Sequence, residues 1–171
     1  MNENDFVVLV DENDNELGVM KKMLAHEKGV LHRAFSVFIF NSKGELLLQQ
    51  RANHKYHSAG LWTNTCCSHP RPNETIKDAA HRRLFEEMGM VCDLKIIDNF
   101  IYKANFDNGL IEHEFDYIIK GFSDAVPAIN KDEVESYKWL TIEKIKHDIK
   151  LNPSHYTEWF KIALESGKID Y

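Results

Sequence analysis

One charged segment, residues 61–89, most constrains how this chain can fold, and its sequence is LWTNTCCSHPRPNETIKDAAHRRLFEEMG. Thr75 followed by Asp78 is typical of a helix start, because side-chain oxygens there can accept hydrogen bonds from the unpaired N–H groups of the first turn. From Ile76 an apolar residue recurs every fourth position as far as Met88, and Gly89 follows as a residue that can end the helix. The pattern predicts an amphipathic helix that packs one face against a core.

Arg83 and Glu87 lie one helical turn apart at the edge of this apolar stripe. Each is about 100° around the helix from the stripe, so both side chains can point across one side of the helix. The spacing fits an ion pair on a solvated surface, and it equally fits two members of a functional site. The helix pattern alone leaves both interpretations open.

Most of the remaining chain alternates between apolar segments and polar turns, which predicts antiparallel hairpins. Residues 6–10 and 17–20 flank one polar turn, and residues 34–40 and 45–50 flank another. Asp107, Asn108 and Gly109 form a strong hairpin-turn signal. Further strands are expected at residues 91–97, 100–106, 110–120 and 134–140, and helices at residues 141–149 and from Pro153 onward.

Size and charge limit the classes of protein to consider. The chain has 171 residues, enough for one domain with a core of its own, and a formal net charge of -6 that argues against a nucleic-acid-binding surface. Its three cysteines form neither a disulfide framework nor a zinc ribbon. The acidic start contains only a short apolar run, too short for a signal peptide or a membrane span. We therefore expect a single domain over residues 1–171, in the cytoplasm, as a monomer or homodimer without nucleic-acid or membrane partners.

From Ser68 onward, the central segment resembles the Nudix box, the motif that names the Nudix fold superfamily. The positions that match the box are Glu74, Arg82, Leu84, Glu86, Glu87, Gly89 and Met90. Two positions depart: Ser68 stands where the box has glycine, and Arg83 stands where it has glutamate. In Nudix hydrolases that glutamate helps to gather the metal ions that drive diphosphate cleavage. A cation at position 83 therefore favours holding a diphosphate over hydrolysing it.

Together with the sequence TNTCCSHP at residues 63–70, the chain resembles the type 1 isopentenyl diphosphate isomerases, a non-hydrolytic branch of the Nudix fold, from about Lys22 to Trp159. The resemblance implies an α+β fold with Nudix-like mixed sheets packed between helices, an added N-terminal hairpin, and a Nudix-like core at about residues 30–164. It implies the conversion of isopentenyl diphosphate to dimethylallyl diphosphate in isoprenoid biosynthesis, without a flavin.

The resemblance also implies a metal site built from imidazoles and carboxylates. A lone histidine here is more often solvated or packed than a ligand, but in the isomerases one divalent metal ion is held at five matching positions. These are His26, His32, His69, Glu112 and Glu114. Such a mixed nitrogen and oxygen ligand set suits zinc, manganese or, by the resemblance, magnesium. Glu87 is expected to bind a Mg²⁺ ion that bridges the substrate diphosphate, and Cys67 is grouped with the metal-site residues as well as beside the substrate.

Moving a double bond requires that one proton be added to the substrate and another removed. The resemblance assigns proton delivery to Glu114, aided by Tyr102, and proton removal to Cys67, whose pKa would have to fall from about 8.5 for it to act as a base near neutrality. The intermediate is a tertiary carbocation, which needs a dry pocket and a π face. Trp159 is the candidate for that face, because a desolvated cation over an indole can gain about 2 kcal/mol. Without the resemblance, Trp159 would be interpreted as a core aromatic.

A diphosphate needs fixed positive charge around it. The residues expected to supply that charge are Lys22, Arg51, Lys55 and Arg83, with Lys21 as a rival to Lys22. The loop that carries Arg51 and Lys55 departs from the isomerase pattern, because Ser58 and Ala59 stand where Trp-Pro is usual. Two other functions stay open: a Nudix hydrolase acting on a nucleoside diphosphate derivative, and a metal-binding regulatory domain without turnover.

Overall fold

The computed structural model describes residues 5–55, 57–106 and 108–171, and it is built on a mixed β-sheet. The described strands are β1 (Phe6–Val10), β2 (Glu16–Lys21), β3 (His32–Phe40), β4 (Glu45–Arg51), β5 (Trp62–Thr63), β6 (Cys66–Ser68), β7 (Leu94–Asn105), β8 (Ile111–Phe122) and β9 (Val134–Thr141). The described α-helices are α1 (Lys22–Lys28), α2 (Ile76–Met88), α3 (Ile142–Leu151) and α4 (Glu158–Glu165).

Strand β3 organises the sheet. It pairs antiparallel with β1, β4 and β6, and parallel with β8 over its whole length, from His32 opposite Glu114 to Phe40 opposite Phe122. β7 extends the sheet as the antiparallel partner of β8, and β9 pairs with β4. The N-terminal hairpin of β1 and β2 joins through β1, as the sequence predicted.

Side chains of β3 alternate between two buried cores, because successive strand residues point to opposite sheet faces. Val37 and Ile39 pack in the core that includes α2, whereas Phe38 and Phe40 pack in the core that includes α3 and α4. All four are at most 1% exposed. The sheet is therefore covered by helices on both faces, which agrees with the expected α+β class.

Helix α2 begins and ends as its sequence predicts. Thr75 is the N-cap, and its Oγ1 accepts a hydrogen bond from the backbone N–H of Asp78 at 3.1 Å. Gly89 ends the helix in the left-handed conformation, with φ of 62°. Ala79, Ala80, Leu84 and Met88 are fully buried, so the apolar stripe faces the core.

Some element predictions were wrong. Pro153 begins a short 3₁₀ turn, Pro153–His155, and the last α-helix begins only at Glu158. The two strands expected between residues 91 and 106 are one strand, whose register with β8 shifts between Ile96 and Asp98. The short strands β5 and β6 were missed. In the turn before β8, Asp107 lies outside the described residues, and Gly109 has φ of 81°.

None of the helices in the part of the chain that the structure describes combines the length and the apolar surface that a membrane-spanning helix needs.

Candidate functional site

Four of the five expected metal ligands lie in one buried cluster. His26 comes from α1, His32 begins β3, His69 follows β6, and Glu114 lies on β8, directly opposite His32 in the parallel register. Each offers one ligand atom, and these atoms all lie within 4.8 Å of one another. His69 Nε2 is 3.2 Å from His32 Nε2 and 2.8 Å from Glu114 Oε1. The parallel pairing of β3 with β8 therefore builds the centre of the site.

Backbone carbonyls orient two of these imidazoles. His26 Nδ1 lies 2.7 Å from the carbonyl oxygen of Lys22, and His32 Nδ1 lies 2.8 Å from that of Val30. A carbonyl oxygen only accepts, so each Nδ1 carries the proton and each Nε2 has a lone pair for a ligand. Burial lowers the pKa of His26 to about 4 and that of His69 to about 3, which keeps both rings neutral. This donor set fits a divalent transition-metal ion.

Glu112 lies beside this cluster, in a second group with His26 and His57. Glu112 Oε1 is 3.1 Å from His57 Nε2, and burial together with the charge of Glu114 raises the pKa of Glu112. Tyr102 bridges the two glutamates, because its hydroxyl lies 3.0 Å from Glu112 Oε2 and 2.6 Å from Glu114 Oε2. The β7–β8 register places Tyr102 directly opposite Glu114.

Cys67 lies on β6 in a polar cage, outside both groups. The indole N–H of Trp159 donates to Cys67 Sγ at 3.1 Å, and the Cys67 thiol donates to Asn64 Oδ1 at 2.8 Å. Burial and, to a smaller extent, the charge of Asp116 raise the pKa of Cys67 to about 12, although hydrogen bonds from neighbouring side chains oppose the shift. The resting thiol therefore keeps its proton. The role expected for Cys67 as a base required this pKa to fall, and burial has the opposite effect.

Two of the polar groups near Cys67 were missed by the sequence analysis. Ser36 Oγ lies 3.6 Å from Cys67 Sγ and 2.8 Å from Asp116 Oδ2, and Asp116 is 1% exposed. The signal for Asp116 was present, because it continues the period-two run of acids begun by Glu112 and Glu114 on the same face of β8. Ser36 carried no signal, since a serine inside an apolar strand has no distinguishing pattern.

Trp159 belongs both to the hydrophobic core and to the site. It is 3% exposed and packs in the core that includes α3 and α4. It also lines a cavity of about 70 Å³ together with Cys67, Tyr102 and Glu114. The guanidinium carbon of Arg51 lies 5.3 Å from its ring centroid, so the indole already faces a cation. The two interpretations of Trp159 are therefore compatible.

The four expected cations all line this same cavity, and Lys22 does so where Lys21 does not. Arg51 Nε and Arg83 Nε are buried without a hydrogen-bond partner in the described structure. Arg83 forms ion pairs with Glu86 and Glu87, and Lys55 forms one with Glu133. The cavity lining therefore includes positive charge and unused donors, which fits an anionic group.

Glu87 is buried at one end of the cavity, at 5% exposure. Gln49 Nε2 donates to its Oε2 at 2.8 Å, and Arg83 pairs with its Oε1. The i,i+4 pair expected on spacing alone is thus present, but it borders the cavity and does not lie on a solvated surface. An outer cavity of about 620 Å³ adjoins the first and shares Lys22, Lys55 and Arg83 with it.

Residues 30–160 match the NUDIX domain family. The Isopentenyl-diphosphate Delta-isomerase of Pectobacterium atrosepticum is 55% identical over 157 residues, which cover 92% of this chain and 88% of that protein. The Isopentenyl-diphosphate Delta-isomerase 2 of Aromatoleum aromaticum is 51% identical over 161 residues, which cover 94% of this chain and 85% of that protein.

Solved structures share the fold at much lower identity. A crystal structure from Deinococcus radiodurans has a TM-score of 0.76 at 19% identity and covers 92% of this chain and 96% of its own. The MutT protein from Methanosarcina mazei has a TM-score of 0.65 at 21% identity and covers 80% of this chain and 91% of its own. At such low sequence identities, the similarity to these structures shows only that the fold is shared. The relatives go further, and this chain belongs to the isopentenyl-diphosphate Delta-isomerases of the NUDIX family.

Proposed function

We propose that this protein is an enzyme that isomerises isopentenyl diphosphate to dimethylallyl diphosphate. The observation that carries the proposal is one small cavity whose lining combines Cys67, Glu114 and Trp159 with the expected diphosphate-binding cations. A five-carbon diphosphate needs both kinds of lining, because it has an apolar tail and a charged head. Membership of the isomerase family supports the same reaction.

Cys67 and Glu114 form the acid–base pair of the proposed reaction. Glu114, hydrogen-bonded to Tyr102, delivers a proton to the terminal alkene carbon, and Cys67 removes one from the carbon that enters the new double bond. Although burial raises it, His69 and His32 lower the pKa of Glu114, which makes its protonated form a strong acid. The raised pKa of Cys67 makes its thiolate a strong base. Because the free protein rests with Glu114 charged and the Cys67 thiol protonated, the pair must exchange its proton before the reaction can run in this direction.

Trp159 and the closed surroundings protect the cationic intermediate. The indole is nearly fully buried, and its N–H holds Cys67 Sγ at 3.1 Å, so sulfur and π face are fixed relative to each other. A gain of about 2 kcal/mol confined to the transition state would raise the rate roughly thirtyfold. Excluding water prevents capture of the carbocation as an alcohol.

The metal site is proposed to hold one divalent ion through His26, His32, His69, Glu112 and Glu114. Such an ion supplies a fixed positive charge that polarises the carboxyl of Glu114. A second ion, Mg²⁺, is proposed to reach the diphosphate through Glu87. We further propose that the whole chain acts as one domain, because the N-terminal hairpin and the C-terminal strands share one sheet through β3.

Incubation of the purified protein with Mg²⁺, Mn²⁺ and isopentenyl diphosphate tests the proposal. We expect an allylic diphosphate product, observed by NMR. Release of phosphate would indicate the hydrolase alternative, and unchanged substrate would indicate a domain without turnover.

Replacing the thiol by Cys67→Ala should lower kcat at least about 100-fold, because one of the two proton-transfer groups is lost. The matched control is Cys92→Ala, since Cys92 is also a partly exposed free cysteine but lies outside the site. Circular dichroism checks that both variants are folded. Turnover of Cys67→Ala at the wild-type rate would contradict the assignment.

A further inference from the structure

His57 is a buried histidine that neither the resemblance nor the proposed reaction uses. It lies in the loop after β4, and it is 7% exposed. Its Nε2 is 3.1 Å from Glu112 Oε1, at the edge of the metal site. This loop is where the chain departs from the isomerase pattern, because Ser58 and Ala59 replace Trp-Pro.

The contacts of the two ring nitrogens of His57 are compatible with a proton on Nε2. Ser58 Oγ lies 3.3 Å from His57 Nδ1, and its hydroxyl can donate to that nitrogen. A proton on Nε2 points at Glu112, whose carboxylate oxygen accepts it, and leaves Nδ1 to accept from the Ser58 hydroxyl. Ser58 has φ of 49°, a conformation that costs a non-glycine residue energy and that the loop nevertheless adopts.

Aromatic packing holds the imidazole in place. The ring of Phe106 is stacked on it at a centroid distance of 4.9 Å, and the indole of Trp159 meets it edge-on at 5.9 Å. Arg51 also donates to the backbone carbonyl of His57 at 3.2 Å. The ring is thus fixed by groups on several elements, which is what an orienting hydrogen bond requires.

Each carboxylate oxygen of Glu112 therefore has a hydrogen-bond donor beside it. Tyr102 donates to Oε2 and His57 to Oε1, which leaves lone pairs on both oxygens for a ligand. Hydrogen bonds of this kind orient metal-binding carboxylates, and losing one typically weakens metal affinity 10- to 100-fold.

From this geometry we infer that His57 is a positioning residue of the metal site, whose imidazole N–H holds the carboxylate of Glu112 in its ligand orientation. The inference rests on the proposed function for the presence of the metal. It adds a residue supplied by this chain's own version of the loop.

Two substitutions separate the hydrogen bond from the packing. His57→Phe keeps an aromatic ring against Phe106 but removes the N–H, whereas His57→Gln keeps a side-chain N–H near the position of Nε2. The control His155→Phe removes an exposed histidine from the 3₁₀ turn. Affinity for Co²⁺ is measured by competition with a chromophoric chelator, the Co²⁺ absorption spectrum is recorded, and kcat is determined separately.

We expect His57→Phe to bind Co²⁺ 10- to 100-fold more weakly, with His57→Gln restoring most of the affinity and His155→Phe matching wild type. The spectrum of the loaded variants should keep the wild-type band positions. Wild-type affinity in His57→Phe would overturn the inference, and so would a changed coordination spectrum, because His57 would then be a ligand itself. Absence of isomerase activity in the wild type would instead count against the proposed function, and it is read from a different measurement.

Discussion

Glu133 contacts two of the cations that are expected to hold the diphosphate. Its carboxylate pairs with Lys55, and its Oε2 lies 3.4 Å from Arg83 Nη2. Although burial raises it, these two cations lower the pKa of Glu133, so the carboxylate is charged at neutral pH. Glu133 therefore forms ion pairs with the cations that a phosphate group of the proposed substrate would contact. The substrate would have to displace the carboxylate of Glu133 from them.

Removing that competition should strengthen substrate binding. We expect Glu133→Gln to lower KM about three- to tenfold, because the charge-assisted hydrogen bonds of Glu133 with Lys55 and Arg83 no longer have to be broken when the substrate binds. Glu135→Gln is the matched control, since Glu135 is an exposed carboxylate two positions further along the chain. A higher KM in Glu133→Gln would mean that the carboxylate assists binding.

At the scale of residues, the sequence predicted which side chains come together better than it predicted the surroundings of each side chain. His26, His32, His69 and Glu114 converge as the resemblance implied, and the parallel register of β3 and β8 fixes His32 opposite Glu114. The thiol environment of Cys67 was not predictable, since its raised pKa depends on burial under α4, which lies far along the chain. His57 was missed because a single histidine in a polar loop has no periodicity or spacing to distinguish it.

The C-terminal end of α2 anchors the loop that carries Glu133. The backbone N–H of Ala128 donates to the carbonyl of Met88 at 2.8 Å, and that of Asn130 donates to the carbonyl of Glu87 at 2.9 Å. These bonds satisfy carbonyls that the helix end would otherwise leave unpaired. A Cβ added at Gly89 would lie 2.6 Å from the carbonyl oxygen of Ala128, so the close approach requires glycine.

Gly89→Ala should therefore destabilise the protein by about 3 kcal/mol or more, as a sum of left-handed backbone strain and a clash with backbone atoms. Gly167→Ala is the control, because Gly167 has φ of 70° but open space around its Cβ position, and it should lose only about 1–2 kcal/mol. Urea unfolding gives both values. Equal losses would show that contact with the loop contributes nothing.

Elements with local signals were predicted well and the others were not. Thr75 and Thr141 have side-chain oxygens that can cap the start of a helix, and Gly89 lacks the side chain that would hinder a helix end. The structure confirms all three helix ends. The strands β5 and β6 are two and three residues long and exist through pairing with β4 and β3. Such short pairings are tertiary contacts, which a local pattern does not contain.

At the scale of the whole molecule, the candidate metal site joins distant parts of the chain. The four clustered side chains that are proposed as ligands come from α1, β3, the segment after β6, and β8. An ion that binds only the folded state stabilises it by RT ln(1 + [L]/Kd), or about 2.7 kcal/mol at a concentration of 100 Kd. Metal binding should therefore stabilise the entire fold and not one local element.

Mn²⁺ or Zn²⁺ at a concentration of about 100 Kd should raise the free energy of unfolding of the wild type by about 2–3 kcal/mol. Addition of a chelator should reverse the change. His69→Gln should lose most of this increase, because the substitution removes one of the proposed ligand nitrogens. His155→Gln should retain it. An increase of the same size in all three proteins would place the ion elsewhere.

The indole that covers Cys67 belongs to the last α-helix, 92 residues further along the chain. Ribosomes add about 5–20 residues per second, so the thiol segment is made roughly 5 to 20 seconds before its cover exists. During this interval Cys67 lacks the indole that donates a hydrogen bond to its sulfur in the folded protein. We therefore expect the thiol to be more open to oxidation in the growing chain than in the finished fold, where the C-terminal helix encloses it.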